Sequence, residues 1–571
     1  MIHYAAETFT PGERDVLRRY VTNLHLPVFA LVNLPEVVKG ALFARYSRSH
    51  KTLRRLLLDE FVDDLDISGD ESIDATAGVA RAEQLYQRVF VEYGDDSVAQ
   101  LGAVHLACEQ ASNVLTKVLE RGRLMSYLEQ STRYLAYDER VHGRYRYHRP
   151  PGVTNSPAGT RYVGDIDTMF DAYGALVRRL GAWLAEHRGA KASHGSAGSA
   201  AASGVPAGGD LARRRALRAQ AFDAARGLLP AASLSNVGIF GSGQAYEALL
   251  LRMRSHPLPE ARSYAALMLT ELRKVIPSFL RRVDQAERGV VWSAYLEANR
   301  TAMDDVAREL FGDETPQPVP EVVLSDWDPA GEDKMLTAML FPHTDLPESQ
   351  IASRVAQMTE AQRLDLVRRY VGERSNRRHR PGRALERIDY RFDVLADYGS
   401  FRDLQRHRLL TIEWQPLTPH HGYVVPALVE AAGGGDAYDD VMELSADLYG
   451  ALDEVAGPLE ASYAVAMAYR VRYSMQFNAR EAMHLIELRS QPQGHQDYRR
   501  IVATMYHHIA ETAGHRAVAA MLSHVDLSEG TLGRLSAEQD TVRRRSAVPA
   551  SSHPASANTP SPPAAARTTT D

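Results

Sequence analysis

One short pattern occurs in each half of this chain of 571 residues. An aliphatic, helix-patterned lead runs into an Arg-x-Arg cluster, which two aliphatic residues and a hydroxyl side chain close. It reads RGRLMS at Arg121–Ser126 and RHRLLT at Arg406–Thr411. Each copy is followed by helices and by a further long helix ending in Leu-Arg. Self-similarity at this scale points to repeated structural units. Two diverged copies of one domain account for it better than two unrelated domains. The length agrees, because it exceeds one ordinary core and leaves room for roughly two to four domains.

The chain divides accordingly. Residues 1–310 read as a first domain and 311–321, which is Pro-rich, as a linker. Residues 322–535 read as a second domain, and 536–571, rich in Ser, Pro, Ala and Thr, as a disordered tail. Residues 1–25 form a polar lead-in. Helical spacing then covers LPEVVKGALFARYS, TLRRLLLDEFVDDL and ARAEQLYQRVFVEYG, the last stopping at Gly94. A long helix is expected over SVAQLGAVHLACEQASNVLTKVLE. Residues 186–212, mostly Gly, Ala and Ser, cannot bury a core and read as a disordered insertion. Helical patterning resumes with RRRALRAQAFDAARGLL and runs to about residue 310. In the second half EVVLSDWD is β-like. Helical segments follow up to YVGERSNRRHRPGR, and DDVMELSADLYGALDEV and NAREAMHLIELRS are long helices.

A net charge of -6 gives no sign of a protein that coats nucleic acid or membranes, so basic clusters are read as local sites. The single cysteine, Cys108, rules out an internal disulfide and fits a reducing compartment as a buried thiol. No apolar run approaches the roughly 20 residues that span a bilayer. A soluble cytoplasmic protein is expected, with no nucleic-acid and no membrane partner. There is no phosphate loop, no dinucleotide fingerprint, no Cys pair and no HExxH, so no metal site is expected.

Three clusters can carry chemistry. RGRLMSYLEQSTRY gathers arginines, serines and a glutamate within one loop's length. Arginine forks suit phosphate oxygens, although the same residues also read as a solvated basic helix end. In RDLQRHRLLTIEWQPLTPHHGY, Arg406, His407 and Arg408 on a turn can wrap a phosphate-bearing cofactor, while His407 alone reads as structural. In QFNAREAMHLIELRS, Asn478 and Arg480 start a helix, His484 sits one turn on, and Arg489 stands at the far end. Such a helix lines a cleft or shows a polar face to water.

The first cluster resembles the signature of flavin-dependent thymidylate synthases: Arg121, Arg123, Ser126, Glu129, Gln130, Ser131, Arg133 and Tyr134 match, and Gly122 stands at the central His. YGDDSVAQ is similar to the family's His-Glu-Ser-Pro segment, and AARGLLP to its Ala-Arg-x-x-Leu-Pro, with Arg226 at the phosphate-binding arginine. The second half keeps the full RHR at Arg406–Arg408 and closely resembles the family's late helix in NAREAMHLIELR. It has Pro416 and Thr418 where the nucleotide loop has Ser and Arg. In the first half, GSGQAYEALLLR lacks that helix's Asn and Arg but retains Arg252.

This resemblance implies an α/β (α+β) fold: two diverged domains, helix-rich with antiparallel sheets, forming a pseudo-dimer. It implies methylation of dUMP, or a related pyrimidine nucleotide, to dTMP. FAD would be the cofactor, with NADPH and methylenetetrahydrofolate as co-substrates. Arg121, Glu129, Ser131, Arg133 and Arg226 would bind substrate. Arg406, His407, Arg408, Asn478, Arg480 and His484 would bind cofactor. Arg489, Ser131 and His407 would serve catalysis. The losses in the two halves are complementary, so composite sites built from both halves are expected, with two chains recreating a pseudo-tetramer as a homodimer. The rival reading is a catalytically inactive relative that binds nucleotide or flavin as a scaffold.

Overall fold

The computed structural model describes residues 4–34, 36–60, 100, 102–133, 135–189 and 207–528. The helix expected to end at Gly94, most of YGDDSVAQ, Tyr134, the centre of the 186–212 insertion and the 536–571 tail lie outside these residues.

Two four-stranded antiparallel sheets form the framework. The first holds β1 (Val28–Leu31), β2 (Ala103–Ser112), β3 (Met125–Glu129) and β4 (Leu234–Ser242), in the order β1-β2-β4-β3. The second holds β5 (Val322–Trp327), β6 (Asp389–Asp397), β7 (Thr411–Trp414) and β8 (Arg470–Asn478), in the order β5-β6-β8-β7. The identical order confirms the repeat that the Arg-x-Arg pattern announced. Helices pack around both sheets, as the helix-rich fold class requires.

The central strands of each sheet turn directly into helices by one device. β2 ends at Ser112, which caps α1 (Asn113–Leu119) by accepting from the Leu115 amide. β4 ends at Ser242, which caps α2 (Gly243–Arg254). A third helix of the first repeat, α3 (Val291–Phe311), follows a π-turn at Ala286–Val290. β6 ends at Asp397, which caps α4 (Tyr398–Leu404), and β8 ends at Asn478, which caps α5 (Ala479–Arg489). Each cap satisfies an orphan amide and contributes about 1 kcal/mol. More importantly, it fixes where the helix starts, and so where its arginines end.

Three sequence expectations are corrected here. Residues 103–112 are strand, not the start of a long helix. β2 pairs with β1 along one edge and β4 along the other, and its side chains are largely buried on both faces. Its near-continuous apolar run cannot be told from a buried helix by periodicity. A bulge falls between Cys108 and Ala111, where Gln110 adopts φ 56°. Second, β4 interrupts the helical run drawn to residue 310. Third, the polar lead-in contains a helix, Pro11–Tyr20, with a full capping box from Thr10 and Glu13. At the edges of the expected insertion, residues 186–189 and 207–212 are helical. Cys108 is buried, as anticipated.

The repeats pack against each other within one chain and share one apolar core. At their seam, Ala231 N–H donates to Val465 O (2.8 Å) and Met467 N–H to Leu229 O (2.9 Å). These reciprocal bonds flank Pro230 and Ala466, which stand at the same place in AARGLLP and in EASYAVA and face each other in an isolated bridge. A pseudo-two-fold relation therefore passes through this point.

Candidate functional site

The two Arg-x-Arg clusters meet across the seam. Arg123 donates to Thr411 Oγ1 (2.8 Å), and reciprocally Arg408 donates to Ser126 Oγ (3.2 Å) and to the Met125 carbonyl. Each arginine thus reaches the hydroxyl that closes the other repeat's cluster. The hydroxyl positions found in sequence are the partners of the opposite repeat.

Behind this edge lies a small polar cavity lined by Glu129–Arg133 and Arg226 of the first repeat and by Gly399, Arg402, Asp403 and Arg406 of the second. Its free volume is about 20 Å³, room for a single water. Arg226 is 3% exposed, and its Nη2 has no hydrogen-bond partner. A buried unsatisfied donor costs about 1–3 kcal/mol, more when charged, so this arginine is held ready for an acceptor. Gly399 makes room for it: a Cβ there would come 3.0 Å from Arg226 Nε. The first repeat has Val114 at that helix position.

Asp403 organises the cations. Its carboxylate pairs with Arg406, with Arg489 (3.6 Å) and with Arg226 (3.6 Å). Burial opposes its charge, but the guanidinium groups of Arg406, Arg489, Arg226 and Arg133 outweigh burial and hold the carboxyl well below the usual range. Glu129 is held to about 2 in the same way: burial opposes ionisation, and Arg402, Lys117 and Arg406 override it. Arg402 donates to Glu129 at 2.6 Å.

Arg133 forks onto Asp223 (2.7 and 3.0 Å) and also donates to Gln493 O (2.9 Å) and Tyr498 Oη (3.2 Å). Ser131 Oγ accepts from the Arg133 amide (3.3 Å).

The late helix α5 supplies a second chain of contacts. Arg489 Nε donates to His407 Nε2 (3.0 Å), while His407 Nδ1 faces Glu481 Oε1 (2.9 Å). Because Nε2 accepts, the partners place the proton on Nδ1 and the ring is neutral. The histidine's pKa agrees: burial is the main cause that lowers it to about 4, Glu481 works against this, and Arg489 adds to it. Arg489 also donates to the Asp403 carbonyl, and its guanidinium lies 5.5 Å from the Tyr498 ring centre. Glu481 thus fixes His407, and His407 aims Arg489.

His484 Nδ1 also approaches Glu481 (3.2 Å), so His407, Glu481 and His484 bring ligand-type atoms within 4.8 Å of one another. Hydrogen bonds already account for both nitrogens of His407, and the Arg489 cation 3.0 Å away opposes a metal ion there.

A larger cavity of about 310 Å³ opens beside α5, lined by Arg123, Arg380, Arg383, Glu386, Arg408, Leu409, Asn478, Arg480 and Glu481. Five guanidinium groups against two carboxylates suit a polyanion. Arg480 is partly engaged, donating to Pro381 O (3.2 Å) and approaching Glu386 (3.6 Å).

The sequence-derived residues fall into three groups. Glu129, Ser131, Arg133, Arg226 and Arg406 line the inner cavity, with His407 and Arg489 directly behind it. Arg408, Asn478 and Arg480 line the outer one, with His484 beside it. Arg121 lines neither: it pairs with Glu413 (2.8 Å) and lies over the Trp414 ring on the rim. Sequence reading missed Arg402, Glu481, Asp223, Tyr498, Arg380 and Arg383 and gave Asp403 no role. Asp403 three residues before Arg406, and Glu481 three before His484, were legible as same-face helix pairs. The others come from elsewhere in the chain.

Comparison with known proteins finds a match in each repeat. The family model described as thymidylate synthase complementing protein matches residues 42–278 and 329–513, one segment in each repeat. A protein of Chlamydia pneumoniae named only as a UPF0159 protein is 39% identical over 537 residues, covering 93% of this chain and 98% of its own. A UPF0159 protein of Thermoplasma acidophilum is 31% identical, covering 88% of this chain and 97% of its own. The solved thymidylate synthase X of Helicobacter pylori with FAD and dUMP is 17% identical and covers 36% of this chain and all of that one, with a TM-score of 0.27.

Proposed function

This chain belongs to the thymidylate synthase complementing protein family, and from that premise we propose that it is a flavin-dependent thymidylate synthase with composite sites, converting dUMP to dTMP with methylenetetrahydrofolate and NADPH. The observation that carries the reading is the buried, unpartnered Nη2 of Arg226, at the family's phosphate-binding arginine and facing a cavity walled by both repeats.

In this reading Arg226 and Arg133 hold the nucleotide phosphate. Arg489, aimed by His407 and Glu481, donates to a uracil carbonyl and stabilises negative charge that develops on the ring. Ser131 lies beside the phosphate arginines in the cavity wall. The outer cavity, with Arg408, Arg480, Arg123 and Asn478, suits the diphosphate of FAD, and His484 flanks it. When bound, the flavin supplies the reducing hydride, and the protein's part is to position it and exclude water.

Nucleotide entry requires rearrangement, because Asp403 now stands where a phosphate would meet Arg226 and the free space is that of one water. A phosphate displaces the carboxylate from Arg226 while Arg406 and Arg489 retain it.

The test is the visible absorption of the purified protein with and without added FAD, followed by dUMP titration and a methylation assay. A flavin band that NADPH bleaches, together with dTMP formation, supports the enzyme. Flavin or dUMP binding without turnover replaces it with the scaffold reading, and binding of neither ligand sinks both.

A further inference from the structure

Helix α3 has 21 residues, and none of them is buried. In proteins most helical stability comes from packing an amphipathic face rather than from propensity. Its first half is tethered: Ser293, Leu296 and Arg300 are half-buried against the first repeat, and Arg300 donates to the Ser255 carbonyl. From Thr301 to Pro320 every residue is exposed.

The exposed surface is not polar. Trp292 is 57% exposed, Tyr295 60%, Met303 62% and Leu310 62%. At 100° per residue, Trp292, Tyr295, Leu296, Met303, Val306 and Leu310 form one stripe along the whole helix. The charged residues Glu297, Arg300, Asp304, Asp305, Arg308 and Glu309 all lie roughly 80° or more from the centre of that stripe. An exposed apolar stripe of this length, broken only at Asn299, marks an interaction surface.

We propose that α3 is a self-association element, pairing antiparallel with α3 of a second copy of this chain about a two-fold axis near Arg300 and Thr301. The stripe is complementary to its own reverse. Turned end for end, Trp292 meets Leu310, Leu296 meets Val306, and Asn299 meets Met303, so the aromatic end of one helix covers the aliphatic end of the other. This is the isologous geometry of a two-fold interface, and the antiparallel helix dipoles favour it. Two such faces bury on the order of 500 Å² per chain, the range of a small interface that associates at micromolar concentration rather than an obligate one. The charged back of the helix carries two arginines against four carboxylates, which opposes binding to an anionic bilayer or to nucleic acid.

Sedimentation velocity of the full-length protein at micromolar concentration tests this. The unmodified chain sediments as a dimer, and Met303→Lys with Leu310→Lys sediments as a monomer with unchanged circular dichroism, since both side chains are exposed. Orientation is read by cross-linking, for which the chain is convenient: its single cysteine, Cys108, is buried. Trp292→Cys chains mixed with Leu310→Cys chains form a disulfide-linked dimer, while neither variant alone does, because like positions sit about 27 Å apart in the antiparallel pair. A monomeric unmodified chain, a dimer that survives both lysines, or Trp292→Cys chains linking to one another would each overturn the proposal.

Discussion

The two Arg-x-Arg clusters occupy the same corner of the same fold, yet their surroundings differ in kind. In the second repeat the corner is closed and charged. Asp403, Arg406, His407 and Arg489 lock together behind the seam, with Asp403 and His407 buried and Arg406 still 34% exposed along its side chain. In the first repeat the matching positions are Val118, Arg121, Gly122 and, counted from the equivalent caps Ser242 and Asn478, Met253, one residue past Arg252. Arg121 has turned outward to an exposed ion pair with Glu413, its side chain 42% exposed. The room for a histidine is filled by Tyr127, whose hydroxyl donates to the Gly122 carbonyl (3.1 Å). Conversely, the first repeat keeps Arg226 and Arg133, where the second has Ser462 and Thr418. One of the two pseudo-symmetric sites has therefore gathered the cations, while the other has been packed shut. Duplication allows this, because each copy need supply only one wall of a surviving site.

The sharpest way to break the comparison is to remove one arginine from each side. Arg226→Ala should weaken dUMP binding by at least about 100-fold, since roughly 3 kcal/mol is typical for a buried charge-assisted contact. Arg252→Ala should leave it within about twofold. Isothermal titration with dUMP reads both, and equal losses would make the two sites equivalent.

Of the two corners, acid should act through the second. His407 is near 4 in the fold against an ordinary 6.5, so between those values the unfolded chain binds more protons and stability falls as pH falls. The loss reaches about 3 kcal/mol by pH 4. Glu481, near 2 in the fold, adds to it only below its ordinary 4.5. Urea unfolding from pH 7 to pH 4 should show this slope together with those of His256 and His495, which burial likewise lowers to about 4, and His407→Gln should remove only the His407 share. The first repeat, with Gly122, has no counterpart.

Glu481→Leu should lower thymidylate formation about tenfold, or roughly 1.4 kcal/mol, by freeing the His407 tautomer that aims Arg489. Flavin content should be unchanged. A loss of flavin instead would mean that Glu481 only supports the outer cavity. The smallest effect belongs to the closed corner. A Cβ on Gly122 would come 2.6 Å from the Tyr127 hydroxyl. Gly122→Ala should therefore cost about 1 kcal/mol in thermal unfolding, and adding Tyr127→Phe should restore most of it.

The repeat, the helices at both Leu-Arg ends and most of the arginines that line the two cavities were visible in the sequence, because they are local. Helical spacing is set by neighbours three and four residues apart, and the Arg-x-Arg motifs are contiguous. β2 was not legible, since a strand covered on both faces has lost the alternation that would betray it. Nor was the partnership of Asp403 with Arg226, whose residues belong to different repeats.

By itself, then, the sequence determined that the chain is two copies of one unit and which charged side chains each copy retained. Only the tertiary structure decided how those charges are used. A guanidinium can face water, a carboxylate or an open cavity, and the choice depends on which groups the strand-to-helix corners of the two repeats bring within a few ångströms. Arg121 and Arg406 occupy the same motif position, and the fold turns one to an exposed partner on the rim and the other inward, because Asp403 gives Arg406 a buried counter-charge that Val118 cannot offer Arg121.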